Sequence, residues 1–247
     1  MKNTVIPILK RFDKATVIAT DMSIELLCSL KEFLESSHEY SNRNDYTLVQ
    51  LDVHKLSCIF KDDCFDIIIG GAILHHLYDP KKVLKQCHSV LKKNGLAIFF
   101  EPFENGNMLL SLLYQLIIAR NNLEKEKLPD AVVNVFNHLC HDFSIRSNIH
   151  KNDDIFKLMD DKWLFSKYYF QTISADIGFS SCSIIPLASD LKMYFEDQTR
   201  TYLRLSIGFE YNKLPFWSKE IIKLADNTFS DETKKDLLIE GYVLLVK

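Results

Sequence analysis

The feature that most constrains this chain is a set of four short apolar runs, spaced through its first hundred residues and separated by helix-like stretches. They occupy residues 15–20, closed by Asp21; 46–51, closed by Asp52; 65–70, F-D-I-I-I-G; and 96–100, closed by Glu101. None of them alternates apolar with polar residues. A strand with that pattern needs cover on both faces, which predicts a parallel sheet between helices rather than a half-exposed antiparallel one. Between the first two runs Ser23 is predicted to cap a helix, with Glu25 in its first turn. Leu27, Leu30 and Leu34 share one face of that helix, reinforced by Leu26 and Phe33. Pro80 opens the next helix, whose apolar positions are Val83, Leu84, Cys87, Val90 and Leu91, and Asn94-Gly95 is placed at its left-handed end. Strand, helix, strand, strand, helix, strand predicts the α/β class.

Composition narrows the rest. The net charge of −3 offers no basic surface for a nucleic acid. The lysines 81, 82, 85, 92 and 93 read as a solvated helix face. Six scattered cysteines with no C-x-x-C pair and no leader-like start predict a reduced, cytoplasmic protein. The longest apolar run, residues 108–119, is too short to span a bilayer, so no membrane partner is expected. Residues 107–120 read as a buried helix, 121–160 as polar and mixed, and 163–175 as another helix. Strands are predicted at 182–187 and 241–247, with helices and many aromatics (Tyr194, Phe195, Tyr202, Phe209, Tyr211, Phe216, Trp217) between them.

Residues 65–102, F-D-I-I-I-G-G-A-I-L-H-H-L-Y-D-P-K-K-V-L-K-Q-C-H-S-V-L-K-K-N-G-L-A-I-F-F-E-P, resemble the class I S-adenosylmethionine-dependent methyltransferases of the small-molecule type. The "FD-apolar-apolar" strand, the L-H-H-L turn and the helix ending L-K-x-x-G all fall in register. Two acid-terminated strands precede them, and the final G-Y-V-L-L-V-K reads like that family's antiparallel last strand. The resemblance is close over residues 4 to about 103. It implies a Rossmann-like sheet, mostly parallel with an antiparallel last strand, three layers deep, with helical insertions covering the acceptor side. On this reading 1–247 is one domain: a cofactor-side core over 1–103, a helical cover over 104–181, and the last two strands with a long insert over 182–247.

The resemblance also implies site residues. Asp21 matches the acid that accepts hydrogen bonds from both ribose hydroxyls of S-adenosyl-L-methionine, a task suited to a carboxylate. Met22 would pack on the adenine face, Asp52 and Val53 match the pair that meets the adenine amino group, and Gly70 lies where backbone approaches the methionine part. These positions lie beyond the carboxyl ends of strands, where open α/β sheets bind ligands. The implied partner is a small-molecule acceptor. His75, His76 and Glu101 are candidate bases, set against a local packing or capping role for the histidines, and methyl transfer needs alignment more than a base. His138, Cys140, His141 and Asp142 have metal-ligand types, but no second cluster completes a site, which favours a structural role. A nucleotide-dependent dehydrogenase is the alternative class, disfavoured by L-H-H-L and the last strand.

The family's glycine-rich G-x-G-x-G loop has no match in the chain, and residues 3–12 read as the helix that follows it, with Asn3 as cap and Pro7 early in the helix. The expectation is a truncated reading frame, a split polypeptide with a second chain supplying the first strand, or a degenerate relative. Without that strand, two rows of backbone groups would lack partners unless the flanking strands closed up.

Overall fold

A computed structural model describes residues 2–41, 43–147, 151, 154–187 and 191–247. In chain order the elements are α1 (Lys2–Arg11), β1 (Val17–Asp21), α2 (Ile24–Ser36), β2 (Tyr46–Gln50), α3 (Leu56–Ile59), β3 (Phe65–Gly71), α4 (Pro80–Val90) and β4 (Leu91–Pro102). The second half holds α5 (Glu104–Asn121), α6 (Asp130–Arg146), α7 (Ile155–Leu158), α8 (Lys167–Ile177), β5 (Ser181–Pro186), α9 (Tyr194–Ile207), α10 (Phe216–Thr228), α11 (Asp231–Asp236) and β6 (Glu240–Val246). The class is α/β, as the apolar runs predict, and the strands include the antiparallel last one that the resemblance implies.

The strands form two sheets. β1 and β2 pair in parallel, with Asp21 opposite Gln50. The other sheet runs β3-β4-β6-β5: β3 and β4 are parallel, and β6 lies antiparallel to both β4 and β5. The family order would place one further strand between β1 and β3. These two strands do not close on each other, so each keeps one edge without a ladder partner among the described residues. Ile67 and Ile69, on one face of β3, are 55% and 42% exposed, although the run was predicted to be covered on both faces. The two sheets approach near α1, where a Cβ on Gly71 would lie 3.5 Å from Thr4 Oγ1.

Local chemistry explains most of the elements. The Ser23 hydroxyl accepts from the Leu26 N–H at the start of α2, and Leu27, Leu30 and Leu34 are buried on its inner face. Leu26 and Phe33 are exposed instead, because they fall outside that stripe. Asp79 caps α4 through the Lys82 N–H, with Pro80 in the first turn. α4 stops at Val90, four residues before the predicted cap. Leu91 is extended, and Asn94 takes its left-handed conformation (φ 63°) inside the strand segment, where its N–H donates to the Lys247 carbonyl. α1 begins at Lys2, so Asn3 lies within the helix rather than ahead of it.

Three cores result. One joins Val5 and Leu9 of α1 to Ala19, Leu30 and Leu34 around β1 and β2. A second fills the space between β3, β4, β6 and helices α4 and α8, with Leu84, Phe99, Phe170 and Val243 buried in it. A third is helical, built on Tyr114, Val132, Phe136, Phe195 and Ile222 of α5, α6, α9 and α10. α6 lies inside the stretch predicted as polar and mixed. Its Val132, Val135, Phe136 and Phe143 face inward at helical spacing, but charged and amide residues dilute the signal. Residues 148–150 and 152–153 of that stretch, and 188–190 of the later insert, lie outside the described residues. Of the aromatics in that insert, Tyr194, Phe195 and Tyr211 are core, while Phe216 is exposed.

Candidate active site

The predicted residues fall into two groups. Asp21, Met22, Asp52 and Val53 stand at the carboxyl ends of the adjacent strands β1 and β2. Asp21 Oδ1 accepts from the Ser23 N–H at 2.9 Å, which fixes the carboxylate at the strand end. Met22 is 66% exposed, and its carbonyl accepts from Gln50 Nε2. Asp52 Oδ1 accepts from both the backbone N–H and Nδ1 of His54, each at 2.9 Å, and those bonds hold its carboxyl below the usual range. Val53 packs against the second core. Gly70 is the next-to-last residue of β3, in the other sheet. A Cβ there would come within 2.4 Å of Phe99 Cδ1, so its smallness already serves the packing of Phe99.

The second group surrounds the L-H-H-L turn. Ala72 (φ 56°) turns the chain after β3, and residues 74–76 form one turn of 3-10 helix. Glu101, fully buried at the end of β4, anchors that turn. Its Oε1 accepts from the Ile73 and Leu74 N–H groups at 3.2 and 2.8 Å. Its Oε2 accepts from the His75 N–H at 3.1 Å and from His75 Nδ1 at 2.7 Å. Four donors thus converge on one carboxylate, which leaves it little capacity to take a proton from a ligand.

The other side of the turn is set by residues 160–165. The N–H groups of Lys162 and Trp163 donate to the His75 carbonyl, and Trp163 Nε1 donates to the Leu77 carbonyl at 2.7 Å. This stitching carries Asp161 onto the histidines. Its Oδ1 lies 3.5 Å from His75 Nε2 and 3.1 Å from His76 Nδ1, while its Oδ2 lies 3.3 Å from Arg146 Nη1. Arg146 is held in turn by Asp142 and by the Trp163 carbonyl. The two imidazole rings are 4.2 Å apart. Burial by itself would lower the His75 pKa, but the carboxylates of Asp161 and Glu101 outweigh it and raise the value to about 9. Hydrogen bonding to Asp161 also raises His76, and the two histidines hold Asp161 well below the usual carboxylate range.

Asp161 and Arg146 were not singled out from the sequence. D-D-K-W lies some ninety residues from L-H-H-L, and nothing in either segment announces the other. His138, Cys140, His141 and Asp142 lie on α6 and form no metal-capable cluster among the described residues.

Residues 3–99 match the methyltransferase domain family model. Outside that span the comparisons speak to fold. A ubiquinone biosynthesis O-methyltransferase of Glaesserella parasuis serovar 5 is 30% identical over 82 residues, 33% of this chain, and the chain spans 34% of that enzyme's length. The structure of phosphoethanolamine N-methyltransferase 2 of Haemonchus contortus covers 98% of this chain with a TM-score of 0.51 at 12% identity, and 46% of its own chain is matched. The CurJ carbon methyltransferase covers 98%, also with a TM-score of 0.51 at 12% identity and with 45% of its chain matched. The 4+2 cyclase SpnF covers 99% with a TM-score of 0.51 at 12% identity, and 71% of its chain is matched. The chain therefore has the class I methyltransferase fold. The chemistries named for these proteins differ, so the fold alone assigns no acceptor.

Proposed function

We propose that this chain binds S-adenosyl-L-methionine and directs its methyl group to a small-molecule acceptor. The observation that carries the reading is the placement of Asp21 and Asp52 at the ends of neighbouring parallel strands, within the matched residues 3–99. The adenosine half of the cofactor fits what is present. Asp21 is positioned to accept from ribose hydroxyls, Asp52 from the adenine amino group, and Met22 and Val53 offer apolar surface to the ring. The methionine half has less within this chain: residues 1–16 hold no G-x-G-x-G pattern, and Gly70 is closely faced by Phe99. When bound, S-adenosyl-L-methionine supplies a methyl group on a sulfonium, open to in-line displacement. The residues of this chain would then align donor and acceptor and exclude water, which accounts for much of the rate of such a step. Of His75, His76 and Glu101, only His76 has its side chain substantially exposed, so it is the one we assign to acceptor contact. The helices over 104–181 and the insert after β5 would form the cover. Free cysteines suit a reducing, cytoplasmic setting.

The open edges of β1 and β3 among the described residues favour a second reading: a non-catalytic relative, or a subunit whose partner chain supplies a strand between them. Calorimetric titration with S-adenosylhomocysteine separates the two. Binding that Asp21→Ala weakens at least about tenfold supports the first reading, since a charge-assisted bond contributes about 1.5–3 kcal/mol. No heat at millimolar ligand refutes it for this chain.

A further inference from the structure

The Asp161 Oδ1, His75 Nε2 and His76 Nδ1 atoms face one another across a small gap at the carboxyl ends of β3 and β4. All three offer a lone pair once deprotonated, and all lie within 4.8 Å of one another; His76 Nδ1 also donates to the Asp160 carbonyl at 3.0 Å, a bond that an entering ion would replace. The contact between His75 Nε2 and Asp161 Oδ1, at 3.5 Å, is too long for a good hydrogen bond. It is close to what a shared cation would require. Ligand bonds of about 2.0–2.1 Å at tetrahedral angles put neighbouring ligand atoms roughly 3.3 Å apart. The two contacts to Asp161 Oδ1, 3.5 and 3.1 Å, bracket that spacing.

The supporting residues are arranged as metal sites require. His75 Nδ1 is engaged by the buried Glu101 carboxylate at 2.7 Å, which fixes the ring with Nε2 facing the gap, where a bound ion would take the place of the Nε2 proton. Arg146 engages the far oxygen of Asp161, leaving Oδ1 inward. The side chains of His76 and Asp161 are 43% and 41% exposed, so the gap opens to solvent on one side. An ion entering there would meet three protein ligands and keep an open position.

We propose that His75, His76 and Asp161 form a site for a divalent transition-metal ion, with zinc as the ion best suited to two imidazoles and one carboxylate. Three protein ligands with an open fourth position are the pattern of a reactive rather than a purely structural zinc. The open position would take water or an acceptor's hydroxyl oxygen. A hydroxyl bound there would give its proton to solvent water more readily, and its oxygen would then take the methyl group as the sulfonium S–CH3 bond breaks, leaving S-adenosylhomocysteine. This last step, and with it a hydroxylated acceptor class, rests on the methyl-transfer reading above, whereas metal binding does not.

Titration of the purified, chelator-treated chain with Co²⁺ at pH 8, followed by displacement with Zn²⁺, tests the site. The expected result is one equivalent of Co²⁺ with the visible absorption of a four-coordinate ion, lost on adding Zn²⁺. His76→Ala and Asp161→Asn should each weaken Co²⁺ binding by at least about 100-fold, beyond the 10–100-fold that loss of an outer-shell partner costs. Circular dichroism confirms that each variant is folded, and His76→Ala removes a half-exposed side chain that the core does not use. Absence of the absorption band, or binding that survives both substitutions, overturns the proposal. S-adenosylhomocysteine binding is measured separately on the metal-free chain. Metal binding without nucleoside binding leaves the site standing and removes its role toward an acceptor hydroxyl. Nucleoside binding without metal overturns the site and leaves the methyl-transfer reading intact.

Discussion

Glu101→Gln offers a quantitative test of how the L-H-H-L turn is held. The substitution keeps the side chain's shape and removes its charge. Glu101 receives two donors on each oxygen: Ile73 and Leu74 N–H on Oε1, His75 N–H and Nδ1 on Oε2. Whichever way the amide is turned, its NH₂ faces two of those donors, and two hydrogen bonds are lost. At about 1–1.5 kcal/mol each, the cost near pH 6 is about 2–3 kcal/mol. For a chain of this size that lowers Tm by about 4–12 °C. The cost should depend on pH. His75 has its pKa raised to about 9 in the folded chain, above its ordinary 6.5. The resulting stabilisation, about 3 kcal/mol, is fully present below pH 6.5 and is lost as pH rises through 9. Once neutral, His75 can turn an Nδ1 lone pair toward the glutamine NH₂, and the cost falls to about 1 kcal/mol. Lys151, whose pKa burial and Arg146 lower to about 8, changes stability in the opposite sense above that pH. It is present in both proteins, so the difference between them cancels it. Urea unfolding of the native chain and the variant at pH 6 and pH 9.5 measures that difference. Equal losses at the two pH values, or no loss at pH 6, would refute the assigned network.

Further expectations follow from other close contacts. Gly70→Ala forces a methyl group into the Phe99 ring and should cost about 1–3 kcal/mol in urea unfolding, with partial recovery in a Phe99→Leu background. Asp226 accepts from the Phe195 and Glu196 N–H groups at the start of α9 and pairs with the buried Lys234 at 3.6 Å. Asp226→Ala should therefore cost about 3–5 kcal/mol, because it strands a buried ammonium; thermal unfolding with little change would remove the pair from the stabilising contacts. Hydrogen exchange should be faster at the β3 amides that face the open edge than at those of β4, which is paired on both sides. Equal protection would mean that the β3 edge is covered in solution.

The local decisions were legible in the sequence because local chemistry makes them. Apolar runs without alternation located all four early strands, Ser23 and Pro80 marked helix starts, and residues 65–102 carried the family likeness. These signals depend on residues within a turn or two of one another. The end of α4 was misplaced because Asn94-Gly95 serves a turn joined to Lys247 by backbone hydrogen bonds, a partner more than 150 residues away. Similarly, Leu26 and Phe33 are exposed because burial depends on which face the neighbouring strands present.

The sequence by itself determined the fold class, the strand ends that carry Asp21, Asp52 and Glu101, and the family likeness of residues 65–102. Only the tertiary structure decided that β1 and β3 remain apart and that one face of β3 leaves Ile67 and Ile69 in solvent. Only it brought Asp161 and Arg146 onto the two histidines. The reason is physical in both cases. Strand and helix formation is set by neighbours along the chain, whereas pairing across a sheet and the convergence of charged side chains depend on segments that the sequence separates and packing reunites.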